Sequence, residues 1–152
     1  RIKIKSDWSA YENKIPDTTQ EGLESEITWS GNNQSISLVS HFAKSRTATG
    51  GPNSRRPDLS YGVDYSKKIN LPEYGPFNLN LSHRYIGDHI DWTGSENAFV
   101  KSVDLVSLSV SKDLFGNVFS LNITNLLNER YEKPATYSQD GRQFRLGFTR
   151  LY

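Results

Sequence analysis

The chain has no cysteine. Disulfides and thiolate metal sites are therefore excluded, and with them the covalent stapling on which many small secreted domains rely. Long apolar runs are missing too. Mean hydropathy is -0.64, 35% of the 152 residues are hydrophobic, and no run approaches the roughly 20 residues that a membrane-spanning helix needs. A helical membrane protein is excluded. A β-barrel in lipid is not, because its strands place apolar residues at every second position. Charge of one sign is also scarce: the net charge is +1, which gives no argument for a nucleic-acid partner. The chain opens at Arg1 without Met or a signal peptide, and strand-like alternation starts at once with Ile2 and Ile4. The expectation is a fragment of a longer protein.

What is present is alternation. Phe119, Leu121 and Ile123 alternate with Ser120, Asn122 and Thr124. Phe77, Leu79, Leu81, His83 and Tyr85 alternate with Asn78, Asn80, Ser82 and Arg84. The same period of two runs through Leu59–Tyr65, Val106–Val110, Leu23–Trp29, Ile36–Leu38 and Phe144–Phe148, and no helical period competes with it. The fold class is therefore all-β: an antiparallel up-and-down meander of about eight long strands, at roughly 1–12, 20–30, 34–45, 57–69, 75–88, 101–113, 117–127 and 142–152. Globular strands usually run about 5–6 residues, and strands that cross a membrane need about 9–11. Strand length thus favours a transmembrane β-barrel, or the C-terminal part of one.

The connections alternate in length. Residues 30–34, 68–74 and 113–117 are short links with Gly, Asn or Pro. Residues 12–19, 45–56, 88–100 and 128–141 are long. Outer-membrane barrels show this pattern, with short periplasmic turns and long outer loops. Alternation by itself does not say which face is wet. In a soluble β-domain the apolar face would point inward; in a membrane barrel it would face lipid. The 12% aromatic content fits either a Tyr-rich soluble sandwich or an interfacial girdle. Trp8, Trp29, Tyr74, Trp92 and Tyr152 near strand ends favour the girdle.

Catalytic signals are sparse, and no enzyme is expected. His41, His83 and His89 have no ligand spacing. Asp88, Asp91 and Glu96 flank one loop and admit a cation site, with ordinary solvated acids as the alternative. The loop at 45–56 is basic. Lys44, Arg46, Arg55 and Arg56 are candidates to contact an anionic ligand or lipopolysaccharide phosphates, with Arg forking onto oxygen pairs. Gly50-Gly51 there is no phosphate loop, since no GK[ST] follows. Glu24, Glu26, Arg84 and Arg145 are expected on the polar face, pairing across strands. No cofactor and no metal is expected.

The end of the chain carries a pattern: Asn125-Leu126-Leu127-Asn128-Glu129-Arg130-Tyr131, then Tyr137, then Gly141-Arg142-Gln143-Phe144-Arg145-Leu146-Gly147-Phe148 and a final Tyr152. It resembles the C-terminal signature of TonB-dependent outer-membrane receptors. In that family a segment of the form N-L, two or three residues, then Y ends the penultimate strand, a G-R-x-aromatic segment opens the last one, and the chain stops on an aromatic residue. Gly22-Leu23-Glu24, Arg56-Pro57 and Tyr85-Ile86-Gly87 resemble further strand boundaries of the family. One departure is Arg150, where the family usually has an apolar residue; a long Arg can snorkel to headgroups. The motif residues are Asn125, Tyr131, Gly141, Arg142, Phe144 and Tyr152.

The resemblance implies a barrel of about 22 strands around an N-terminal plug, importing a scarce nutrient such as an iron–siderophore or cobalamin. On that reading residues 1–152 are C-terminal barrel strands, without the plug that binds TonB. The implied partners are outer-membrane lipid and lipopolysaccharide, the barrel assembly machinery through the last strand, and the siderophore or cobalamin ligand of the full-length protein. The implied location is the bacterial outer membrane. Two alternatives stand beside it: an independent small eight-stranded outer-membrane protein with a structural or adhesive role, and a soluble β-barrel that binds a small ligand. The isolated chain is expected either to close its first strand onto its last or to pair an edge with another molecule.

Overall fold

The structure is a computed structural model, and it describes residues 2–4, 11–13, 18–93 and 95–150. In chain order the strands are β1 (Ile2–Ile4), β2 (Tyr11–Asn13), β3 (Thr19–Gly31), β4 (Gln34–Arg46), β5 (Leu59–Leu71), β6 (Gly75–Ile86), β7 (His89–Trp92), β8 (Asn97–Val100), β9 (Val103–Leu114), β10 (Asn117–Thr124) and β11 (Gln143–Arg150). No helix occurs among the described residues. Seven strands form one antiparallel sheet in the order β11-β10-β9-β6-β5-β4-β3. Each neighbours the next long strand in sequence, so the sheet is a meander. It does not close: β3 and β11 are its two edges.

One expectation needs correction. The strand expected over 1–12 is not one strand. Ile2–Ile4 pairs antiparallel with Tyr11–Asn13, so the chain turns back on itself and forms a separate two-stranded ladder. Alternation at Ile2 and Ile4 identified a strand there but carried no signal for its length. Within the long connection expected at 88–100, β7 and β8 pair as a hairpin. Of the two outcomes expected for the first strand, closure onto the last is not seen: among the described residues β1 pairs with β2. Trp8, Tyr152 and residues 14–17 of the expected link at 12–19 lie outside the described residues.

The short turns have definite chemistry. Phe115-Gly116 joins β9 to β10 with both residues at positive φ (55° and 73°), the mirror-image turn that matches strand twist. Asp113 Oδ1 accepts the Gly116 N–H at 3.2 Å. Pro72-Glu73-Tyr74 joins β5 to β6, closed by a Tyr74 N–H to Leu71 O bond of 3.2 Å and followed by Gly75 at φ 71°. The fixed φ of Pro72 suits the turn's entry. The expected alternation of link lengths holds among the described strands: the three short turns lie at one end of the sheet, and the links 47–58, 87–102 and 125–142 lie at the other.

Register decides the faces, because paired residues point the same way. Trp29 pairs with Ile36, Ile36 with Tyr65, Tyr65 with Leu81, Leu81 with Leu108, Leu108 with Ile123, and Ile123 with Phe144. That row is apolar or aromatic on every strand of the sheet. The opposite face carries Glu24, Glu26, Thr28, Ser37, Asp64, Arg84, Ser109, Asn122 and Arg145. The apolar face is uncovered: Leu146 is 82% exposed, and Leu23, Ile27 and Phe148 are each above 60%. Buried hydrophobic residues are small and few among the described residues, namely Ala43, Val100, Val103 and Ala135. Total accessible surface is 11382 Å², against about 7,800 Å² for a compact chain of this mass. Among the described residues no dry core lies between two layers.

Phe115 supplies a test of the turn. Its side chain is fully exposed, and its backbone sits in the left-handed region that a bulky residue disfavours. Phe115→Asn is expected to raise stability by about 0.5–1 kcal/mol in denaturant unfolding. A lowered midpoint would show that the ring is held by something outside the sheet.

Candidate functional site

The polar face is cross-braced between strands. Arg84 forks onto Asp64 with Nη2 at 2.9 and 2.7 Å from the two carboxylate oxygens. Gly62 makes this possible: a Cβ there would stand 2.8 Å from Arg84 Cδ, so a side chain would block the guanidinium's path across the strand. His41 Nδ1 lies 2.9 Å from Glu24 Oε1, Thr28 bonds Ser37 at 3.0 Å, and Ser66 bonds Asn80 at 2.7 Å. Toward the short turns this face forms an open polar hollow of about 560 Å³ lined in part by Ser35, Ser66, Lys68, Asn78 and Asn80. The expected facing of Glu24, Glu26, Arg84 and Arg145 agrees with the register, though Arg84 finds Asp64 rather than a glutamate.

At the other end three long links are tied together by one carboxylate. Asp91, on β7, is 1% exposed. Its Oδ1 accepts Arg55 Nε at 2.5 Å and the Trp92 N–H at 2.8 Å, and its Oδ2 accepts the Ala135 N–H at 2.9 Å. Ser54 Oγ accepts the Trp92 N–H as well, at 2.9 Å, and the Arg55 N–H bonds Ile90 O at 2.7 Å. That bond holds Arg55 at φ 61°. A buried carboxylate needs such donors, since unpaired charge out of water is costly. The Arg55 hydrogen bond holds the Asp91 carboxyl below the ordinary carboxylate value; burial opposes it, and the Ala135 and Trp92 N–H groups add to the lowering.

The four basic residues thus have definite places. Arg46 forks onto Asp58, Nη1 to Oδ1 at 3.1 Å and Nη2 to Oδ2 at 2.7 Å, and this bond lowers the Asp58 pKa. Arg55 is committed through Nε to Asp91, with its side chain 63% exposed. Arg56 Nη1 donates to Gln20 Oε1 at 3.1 Å. Lys44 is exposed on the apolar face beside Phe42, in register with Glu21. The structure gathers Arg46, Arg55 and Arg56 at one loop: Arg46 closes its base onto Asp58, while Arg55 and Arg56 hold it to Asp91 and Gln20. Asn53 braces it too, donating to Ser45 Oγ at 2.8 Å while buried.

The motif residues divide. Asn125 leaves the sheet at φ 49° and is buried. Its Oδ1 accepts the Glu129 N–H at 2.9 Å, and its Nδ2 donates to Glu129 O at 2.9 Å and Asp140 O at 3.2 Å. Asn125 therefore pins both ends of the link between β10 and β11, and does not bond along the sheet. Asn128 Oδ1 accepts the Arg142 N–H at 2.9 Å, and a Cβ on Gly141 would stand 2.6 Å from that oxygen. A side chain at 141 would push the Asn128 amide away from this bond. Tyr131 O accepts the Gln139 N–H at 2.9 Å inside the link. Phe144 lies on the apolar face opposite Ile123. Tyr152 lies outside the described residues.

Two histidine–carboxylate pairs were not expected from sequence: Glu24–His41, and His83–Asp104 at 2.8 Å on the apolar face beside Tyr61. Among the described residues neither ring is hydrogen-bonded to a hydroxyl, so no nucleophile–base pair is assembled. Nor does any group of three His, Asp or Glu side chains among them gather to hold a metal ion, and Asp91 is engaged by Arg55 instead. Sequence reasoning noted Asp91 only as a loop acid. Its role depends on Ser54 and Ala135, which are 37 and 44 residues away.

Asn125→Ala is expected to cost about 1–3 kcal/mol, because it strands two carbonyls and an N–H; unchanged denaturant stability would contradict the pinning role. The Asp91 tether has a pH sign. A carboxyl held below its ordinary value of 3.8 stabilises the closed loops fully above that value and loses the effect as pH falls through the lowered one. Emission from Trp92, with Trp8 and Trp29 replaced by Phe, should stay constant down to the ordinary carboxylate range and change only below it. A transition centred above 3.8 would refute the tether.

Compared with known proteins, the chain matches no family model and no curated protein.

Proposed function

We propose that this sheet is part of the wall of a transmembrane β-barrel in a bacterial outer membrane, contributing strands to a TonB-dependent receptor that takes up a scarce nutrient such as an iron–siderophore or cobalamin. One observation carries the membrane part of this reading. A continuous apolar row crosses all seven strands and is left uncovered, while the opposite face is hydroxyl, amide and charge. An exposed apolar surface of this extent is a cost in water and a gain against hydrocarbon.

Dimensions support it. The 13 residues of β3, β4 and β5 span about 44 Å at about 3.4 Å each, and a tilt of about 45° brings this to about 31 Å, close to the hydrocarbon thickness. The polar face then fronts a wet interior, where cross-strand pairs such as Asp64–Arg84 keep their hydration. The links tied by Asp91 face outward, and the tight turns face the periplasm. The edges β3 and β11 call for further strands, since an open edge in lipid leaves N–H and C=O groups unsatisfied. The receptor assignment rests on the motif from Asn125 to Phe148, in which Asn125, Asn128, Gly141 and Arg142 act together. Arg46, Arg55 and Arg56 then serve chiefly to shape the outer loop that meets the ligand.

Leu108→Arg, in the middle of the apolar row, is expected to cost about 2–4 kcal/mol in lipid bilayers, and Ser107→Arg on the polar face much less. Equal costs, or a chain that stays soluble without detergent, would sink the membrane reading and favour a soluble β-barrel. Loss of nutrient-dependent growth on deleting the gene tests transport. Unchanged siderophore and cobalamin uptake would leave a structural or adhesive barrel.

A further inference from the structure

A shaped depression lies on the apolar face, near the short-turn end over β9, β10 and β11. It is a groove of about 500 Å³ lined by Phe77, Val110, Phe119, Leu121 and Phe148, with Lys112 at its rim. Register explains its form. Lys112 pairs with Phe119 and Phe119 with Phe148, while Val110 pairs with Leu121 and Leu121 with Leu146. The Phe119 and Phe148 rings meet edge-on, 5.1 Å between centroids, and make one wall.

Lys112 caps the groove on the side of the turns. Its ammonium stands 4.5 Å from the centre of the Phe77 ring and donates to the Tyr74 carbonyl. An ammonium has three donors, so one bond to the carbonyl leaves capacity for an anion. Two further cations share this face, while Glu73 stands in the adjoining turn. Lys67 and Arg150 lie on this face toward the same end, whereas Asp113 lies on the opposite face. The features are complementary to one kind of molecule: a greasy chain ending in a negative charge.

We propose that this groove binds an anionic phospholipid, with one acyl chain along Leu121 and Val110 and the phosphate on Lys112. The inference rests on the membrane reading above and adds to it a specific lipid site at the periplasmic rim. Aromatic side chains there give the chain a rigid wall at low entropic cost, and the cation–π contact holds the ammonium at headgroup level.

The test uses the whole chain in phosphatidylcholine vesicles with spin-labelled phosphatidylglycerol or spin-labelled phosphatidylcholine as probe. Motionally restricted lipid is expected to favour phosphatidylglycerol by about fivefold, the scale of one lysine near anionic lipid. The preference should fall to parity in Lys112→Gln, survive in Lys112→Arg, and shrink as salt is raised. Incorporation with equal association of both lipids, or a preference unchanged in Lys112→Gln, overturns the lipid site and leaves the membrane reading intact. A chain that restricts no lipid at all overturns both.

Discussion

Strand residues point alternately to opposite faces, and in this sheet the alternation stays in phase across seven strands. Everything else follows from that coherence. Were one strand to slip by a single residue, its apolar side chains would move to the polar face. The pairings from Trp29 to Phe144 show no slip. The short turns help to set the phase. Phe115-Gly116 and Pro72-Glu73-Tyr74 have conformations that admit one register each, and the strands extend from there.

A coherent apolar face that none of the described residues covers gives the molecule an unusual energy balance. Ordinary domains are held by a dry interior. Here the buried hydrophobic residues are small and lie toward the loop end, so the sheet itself rests on ladder hydrogen bonds and cross-strand contacts. The function proposed above gives such a sheet an external apolar phase and partners for its edges. The proposed bilayer and the proposed larger barrel supply the two separately.

At the loop end the logic is polar. Asp91, Asn125 and Asn53 are buried, and each is satisfied by groups from a different part of the chain. Buried polar groups of this kind specify geometry, because any other arrangement leaves them unpaired. The loops are thus ordered by three short side chains, and the arginines that look free in sequence are largely part of that order. The apolar groove at the opposite end has a different origin. It comes from rings spaced by register on adjacent strands, with one cation above them.

The elements legible in the sequence were those that depend on neighbours along the chain. Period-two alternation located β3, β4, β5, β6, β9, β10 and β11 to within a few residues, and Gly, Asn and Pro marked the turns between them. The identity of the polar and apolar faces was also local information. The hairpin β7–β8 was hidden because four-residue strands are too short to show a period. The β1–β2 pairing was hidden because alternation does not reveal a reversal. Tertiary structure alone decided that the sheet stays open, that Asp91 gathers Arg55 and Ala135, and that Arg84 crosses over Gly62 to Asp64. These contacts join residues 20 to 44 positions apart. No local pattern encodes them, because they form only once the strands have fixed where each loop begins.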